Sequence, residues 1–399
     1  MKLKTILFEL FQIILVLLFI PFFILIVLFI LLLKFKKKNN KVIFAGLEHV
    51  INKTIVRGEY FKENNYDVIY YSFEKTELSP KDRLINELKK SKVLLISDFF
   101  YFIILLLKNK PKYIEIYFEG LCINQLFYVF ISRIYNCYVI SIFRGGEFYY
   151  NETNSENLTQ KIKTKIVVLI SKMSNHIFYR ETYMLNHIKK YKINTKKCFF
   201  DHNCVKVKPL EQLEVSEISN SNPKKIVFLN GIKKWRRIEI LIEAVNLIKN
   251  ENIKLIIVGC RNINEYQYVE NLTKKYNISD ITEIHYWTKE SELYYSDAYL
   301  FVLPADLIYC NFSLLEAMER SIPAIVSNVD DSDKIIDHDF DGFIVDQNPN
   351  DFSKAIKKLI DDPIKRNNFA FQARQKILSK YDDKNRINKI LELINNHYA

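Results

Sequence analysis

Lys233, Lys234, Arg236 and Arg237 fall in one short run directly before a helix-like stretch around Leu241, Ile242, Glu243 and Ala244. Cations fixed in a loop at a helix N-terminus suit a polyanion such as a diphosphate, whose negative charge grows as its bond to a transferred group breaks. The competing reading is a solvated basic turn. A second run, Arg144-Gly145-Gly146-Glu147, follows a β-rich segment at 139–143. Arg144 can hold a phosphate or a hydroxyl, the glycines permit close backbone approach, and Glu147 can accept hydrogen bonds or a proton. An ordinary turn with a surface salt bridge is the alternative, but a chain with only 8 glycines rarely places two side by side in one. Glu316 opens another helical stretch and offers a third candidate group. No HExxH, Cys/His cluster or Asp-x-Asp metal motif stands out, so no metal is expected.

These groups need a scaffold. β-rich runs at 41–45, 67–72, 93–96, 113–118, 139–143 and 176–179 alternate with helical stretches, the signature of a parallel sheet covered on both faces. Ligands in such sheets sit beyond the carboxyl ends of strands, which singles out Gly46 after the first run and Gly145 and Gly146 after the fifth. A polar stretch with a proline at 219–225 reads as a linker. Beyond it, strands at 226–230, 254–259, 299–303 and 324–327 alternate with helices, so a second nucleotide-type α/β domain is expected. The stretches 351–360 and 362–398 read as amphipathic helices.

The length of 399 residues accommodates two domains plus an anchor. Residues 6–33 are apolar apart from Glu9 and Gln12, long enough to cross a hydrocarbon core as a helix. Lysines follow without a small-residue cleavage site, so the segment stays attached. Lys34, Lys36, Lys37 and Lys38 outweigh Lys2 and Lys4, which places the catalytic part on the cytoplasmic face of the cell membrane. Pro21 leaves a re-entrant hairpin open as an alternative to a single pass, and either geometry keeps both soluble domains inside. The formal net charge is +12, and the six lysines beside the apolar segment, less Glu9, supply about +5 of it. Nucleic acid is excluded as a partner, because no zinc-finger spacing, aromatic RNP pattern or repeated basic helix face accompanies the charge. Six scattered cysteines read as reduced thiols.

From 225 to 398 the chain resembles the family 4, or group 1, glycosyltransferases in motif order and spacing. The run 230–237 before Leu241-Ile242-Glu243-Ala244 is similar to the family's Gly-Arg to Lys-Gly donor-phosphate loop. Ile256-Ile257-Val258-Gly259 resembles its strand ending in glycine, and Asp297-Ala298 with Val302-Leu303-Pro304-Ala305 resembles "aDvfvlPS". Leu315-Glu316-Ala317-Met318 with Ile322-Pro323-Ala324-Ile325 is similar to "LEAMAxGxPVI", and 341–345 to "GxLV". The resemblance implies a GT-B fold: two Rossmann-like, doubly wound α/β domains facing a cleft, here preceded by a transmembrane helix. The divisions are then 1–40 for the anchor, 41–218 for the acceptor domain, 219–375 for the nucleotide-sugar domain and 376–399 for a helix crossing back to the first domain.

By the same resemblance, Arg236 takes the place of the family's lysine, Lys233 or Lys234 that of its arginine, and Arg237 that of a glycine. Gly231, Lys233, Lys234, Arg236, Arg237 and Glu316 are the expected donor-binding residues, with Arg144, Glu147 and Glu316 as the catalytic candidates. Gly46, Gly145, Gly146 and Asn203, the last within a segment that takes the place of "PNGVD", lie on the acceptor side. Ile308 stands where the family's E-x7-E pattern has its first glutamate. Asp306 after a loop shift, or backbone amides at Asn311, Phe312, Ser313 and Leu314, can replace it in sugar recognition; otherwise the site is altered or dead. Ser321 replaces a further small residue before the proline turn.

The expected activity is transfer of a sugar, with retention as in the family, from a nucleotide diphosphate sugar to a lipid-linked or surface-glycan acceptor. No cofactor is needed beyond that donor substrate. The implied partners are the nucleotide sugar, the acceptor, the membrane and other glycan-assembly enzymes. A catalytically silent subunit that scaffolds a partner transferase is the rival.

Overall fold

A computed structural model describes residues 38–45, 51–71, 95–118, 123–143, 158–180, 182–209, 223–288, 290–308, 311–329 and 331–399. The expected anchor at 6–33, Gly46 and the run 144–147 lie outside them. Among the described residues no helix is long and apolar enough to cross a membrane. The chain divides into two packed units, Met1–Asp201 with Ile387–Ala399, and His202–Arg386. By packing the division falls between Asp201 and His202, where the sequence suggests a linker at 219–225.

The first unit is built on six parallel strands: β1 (Asn39–Ala45), β2 (Asp67–Tyr71), β3 (Pro111–Tyr117), β4 (Tyr138–Ile142), β5 (His176–Tyr179) and β6 (Cys198–Phe200). They lie in the order β2-β1-β3-β4-β5-β6. Helices α1 (Ile51–Glu63), α2 (Leu95–Asn109), α3 (Ile123–Ile134), α4 (Leu158–Met173) and α5 (Tyr183–Lys190) connect them. The strand expected at 93–96 is corrected: Leu95 and Ile96 begin α2. After Ser97 and Asp98 apolar residues run unbroken from Phe99 through Leu107, a length that suits a buried helix better than a strand of four to eight residues. Strand β6, which hydrogen-bonds β5, carries too short a run to be legible in advance.

One face of this sheet packs Ile43, Ile114 and Ile116 against Phe102, Val129 and Ile131 of the helices. The other packs Val42, Phe44 and Ile140 against Ile387, Ile390 and Ile394. Those three isoleucines recur at spacings of three and four along α11 (Asp383–Tyr398), which sets them on one helix face. Each is essentially buried, and full burial of such a side chain contributes about 1.5–3 kcal/mol.

The second unit carries β7 (Lys224–Leu229), β8 (Ile253–Cys260), β9 (Thr282–Tyr286), β10 (Ala298–Leu303), β11 (Ala324–Ser327) and β12 (Gly342–Val345). Their order is β12-β11-β10-β7-β8-β9, all parallel. Every residue of β10 is buried, as expected of a central strand covered on both faces. The helices are α6 (Ile238–Leu247), α7 (Ile263–Lys275), α8 (Phe312–Glu319), α9 (Pro349–Asp361) and α10 (Pro363–Lys376). Short polar residues start four of them: Asn262, Asn311, Asn348 and Asp362 each accept the backbone N–H three residues on. Pro349 and Pro363 occupy the first turn, where the missing N–H is harmless.

Candidate donor-binding site

The strand order of the second sheet reverses between β7 and β10, the place where a doubly wound sheet opens a crevice beyond its strand ends. The loops leaving those two strands are tied together. The Asp306 N–H donates to the Trp235 carbonyl at 2.8 Å, and the Arg236 guanidinium donates to the Leu307 carbonyl at 3.1 Å. Arg237 Nε meets Asp306 Oδ1 at 2.8 Å. Deeper in, Asn311 Nδ2 donates to Asn230 Oδ1 at 2.8 Å. The basic run and the start of α8 thus meet at the switch point.

Strand β8 closes against the same loop. Gly259 has φ 137°, and a Cβ there would lie 2.1 Å from the Asn230 carbonyl oxygen. Only glycine allows that approach, which is the physical reason for a glycine at the end of this strand. A Cβ on Gly231 would sit 3.7 Å from Nε and Nη2 of Arg261, so the Arg261 guanidinium lies over the Gly231 backbone.

The four cations of the loop are not equivalent. Lys233 pairs with Glu265 at 3.2 Å and Arg237 with Asp306, so carboxylates already offset two of the charges. Arg236 is half-buried, and that burial lowers its pKa. Lys234 is exposed and has no ion-pair partner among the described residues. Arg237 also adopts φ 49°, ψ 42°, the left-handed conformation that favours glycine. The position where the resembled family has a glycine therefore has a backbone that glycine would adopt without strain. Ser321, at φ 59°, repeats this at the second replaced position.

Two routes for making up the missing glutamate change with the structure. Ile308 is fully buried in the core. Asp306 already carries two hydrogen bonds: Arg237 and Gln347 both donate to its Oδ1, each at 2.8 Å. Burial alone would raise the Asp306 pKa, but those hydrogen bonds and the Arg237 charge outweigh it and hold the carboxyl below its ordinary value. Leu314 has its polar group engaged within the chain. Its side chain is buried, and its N–H donates to Asn311 Oδ1 at 3.0 Å as the cap of α8. Phe312 and Ser313 stand half-buried in the first turn, and the Ser313 carbonyl accepts from Tyr295 Oη at 2.9 Å.

Glu316 follows half-buried, with Oε2 at 3.5 Å from the same phenol. Tyr295 is itself buried, and that burial, with the Glu316 charge, raises its pKa well above the ordinary phenol value. It stays a neutral donor between the two acceptors.

The hydrogen-bond chain fixes one more group. The Leu314 N–H must donate, so Asn311 presents its oxygen there and its amide nitrogen to Asn230 Oδ1. Asn230 Nδ2 then points elsewhere, and it is buried without a partner among the described residues. Leaving such a donor unmatched costs about 1–3 kcal/mol.

Of the other expected residues, Gly46, Arg144, Gly145, Gly146 and Glu147 lie outside the described residues. Asn203 is buried in the second unit, in a segment where Val205 pairs with Asp382. Asn230, Arg261, Glu265, Tyr295 and Gln347 were not foreseen. The Asn262-x-x-Glu265 spacing is a helix-start signal that could have flagged Glu265.

Comparison with known proteins agrees with this geometry. Residues 211–376 match the family described as glycosyl transferases group 1. The chain is 32% identical over 95 residues to the UDP-Gal:alpha-D-GlcNAc-diphosphoundecaprenol alpha-1,3-galactosyltransferase of Escherichia coli, 24% of each chain. The match spans about a quarter of that relative's length. Among solved structures, a glycosyltransferase from Rickettsia africae superposes with TM-score 0.67 at 15% identity, over 91% of this chain and 99% of that one. HepE of Anabaena in complex with UDP superposes with TM-score 0.65 at 11% identity, over 90% and 100%, and has also been solved with UDP-glucose. With its two parallel six-stranded sheets, the chain has a GT-B fold, and its residues 211–376 are similar to the group 1 glycosyltransferases.

Proposed function

We propose that the chain is a membrane-associated glycosyltransferase, which moves a sugar from a nucleotide diphosphate sugar to a lipid-linked or surface-glycan acceptor in cell-envelope synthesis. The observation that carries this reading is the meeting of the 230–237 loop with Asp306, Leu307 and Asn311 at the switch point of the second sheet. Arg236 and Lys234 are the cations best placed for the departing diphosphate, since Lys233 and Arg237 already serve carboxylates. The donor sugar then falls to the first turn of α8, with Glu316 accepting from its hydroxyls. The HepE complexes favour a uridine nucleotide, and the E. coli relative's name favours a galactosyl donor and a polyprenyl diphosphate acceptor. The segment 6–33 anchors the chain, with its catalytic part on the cytoplasmic face, and transfer proceeds with retention of the anomeric configuration.

The occupied Asp306 and the buried Ile308 favour one rival, a silent subunit that binds a nucleotide without turning it over. A panel of nucleotide sugars, incubated with the full detergent-solubilised chain and membrane lipid extract, separates the two. Release of nucleoside diphosphate that depends on Arg236, with labelled sugar entering the lipid fraction, is the expected result. Nucleotide binding with no release across all donors and acceptors would hand the case to the silent subunit.

A further inference from the structure

The unassigned cation nearest the site is Arg261, at the carboxyl end of β8. Its guanidinium lies over Gly231, within 3.7 Å of where a Cβ would stand, so the absence of a side chain at 231 makes room for it. Its main chain is pinned, since the Arg261 N–H donates to Glu265 Oε2 at 2.8 Å. Glu265 is fixed in turn: its own N–H caps on Asn262 Oδ1 at 3.0 Å, and its other oxygen accepts from Lys233 Nζ at 3.2 Å. One carboxylate therefore holds the Lys233 ammonium and the Arg261 main chain, and the trio Lys233, Glu265 and Arg261 keeps a net charge of about +1. Arg261 is exposed, and among the described residues its guanidinium forms no ion pair within hydrogen-bonding distance.

We infer that Arg261 is a further diphosphate-binding residue of the donor site, which reaches across Gly231 to supply a cation that the 230–237 loop gives up to its ion pairs. Glu265 is a positioning residue, holding Arg261 and Lys233 on either side of its carboxylate. The inference rests on the proposed donor site and deepens it. A planar guanidinium can take two phosphate oxygens at once, and a diphosphate, which carries more negative charge than a monophosphate, gains more from a fixed cation.

The test is calorimetric titration of the full detergent-solubilised chain with UDP, UMP and uridine, comparing wild type with Arg261→Ala and Arg261→Lys. Arg261→Ala is expected to weaken UDP about tenfold or more and uridine less than twofold, the loss of a charge-assisted contact to phosphate. Arg261→Lys recovers part of the loss. Unchanged UDP affinity in Arg261→Ala, in a protein whose Arg236→Ala variant loses it, would overturn the role of Arg261 and leave the donor site standing. Failure of wild type to bind UDP, ADP, GDP or CDP would instead sink the donor site itself, and the inference with it.

Discussion

Gly259 is where the packing of β8 against the basic loop can be tested with a single methyl group. In Gly259→Ala the new Cβ would stand 2.1 Å from the Asn230 carbonyl oxygen and 2.6 Å from its carbon, far inside contact distance. Backbone lies on both sides, so no flexible side chain can move aside. Alanine at φ 137° adds strain of about 1–3 kcal/mol. Forcing β7 and β8 apart adds about 1–3 kcal/mol more. Both are relieved by the same shift, so the sum is expected near ~2–4 kcal/mol. For a unit of this size each kcal/mol moves the midpoint by about 2–4 °C, which places the loss in Tm at roughly 5–15 °C. The shift also carries Asn230 and Gly231 with it, so nucleotide affinity should fall even at temperatures where the variant is folded. Thermal unfolding by circular dichroism and UDP titration at 15 °C measure the two effects. A variant that melts within about 1 °C of wild type and binds UDP equally well would refute the close approach of β8 to the loop.

Other substitutions probe the loop and the core separately. Arg237→Gly should be more stable than Arg237→Ala by about 1 kcal/mol, because both lose the Asp306 pair but only glycine relieves the left-handed backbone; equal midpoints would contradict this. The Asp306 carboxyl is held below its ordinary value in the folded chain, so its stabilising effect is complete above that value and fades as pH falls through the depressed one. The gap in Tm between wild type and Asp306→Asn should therefore be present at pH 7 and shrink at pH 3, and a gap that widens in acid would invert the reasoning. Burial pushes the thiols of Cys137 and Cys260 up to about 11, and both side chains are fully buried. Neither should be alkylated by iodoacetamide at pH 7.5 until the chain is unfolded, as peptide mass spectrometry would report.

Much of the second unit can be read from its residues, because strong local signals coincide there. Short β-branched runs such as 324–327 give β11 with no error at either end, and asparagine or aspartate before an apolar periodic stretch marks the start of a helix. The first unit is less legible. Its aromatic and aliphatic runs satisfy strand and helix patterns alike, and Leu95 and Ile96 belong to a helix whose apolar run from Phe99 to Leu107 continues past strand length. At the site, residue types locate the basic loop but not its internal pairing. That Arg237 meets Asp306, 69 positions later, and Lys233 meets Glu265, 32 positions later, follows from strand order, which no local motif carries. The replaced positions are instructive: Arg237 and Ser321 read as signs of divergence, and both have the positive φ that glycine tolerates best. Arg261 was missed because its neighbour in space, Gly231, is 30 residues away along the chain and has no side chain to signal a contact.

Hydrogen–deuterium exchange of the full chain with and without UDP tests the central claim most directly, since it localises the ligand without assuming turnover. Slowed exchange is expected at 230–237, at 259–261 and at 304–316, the segments that follow β7, β8 and β10, with the rest of the second unit unchanged. Protection confined to other segments, or none at saturating UDP in a chain that turns over a uridine sugar, would contradict a donor site at the switch point of the second sheet.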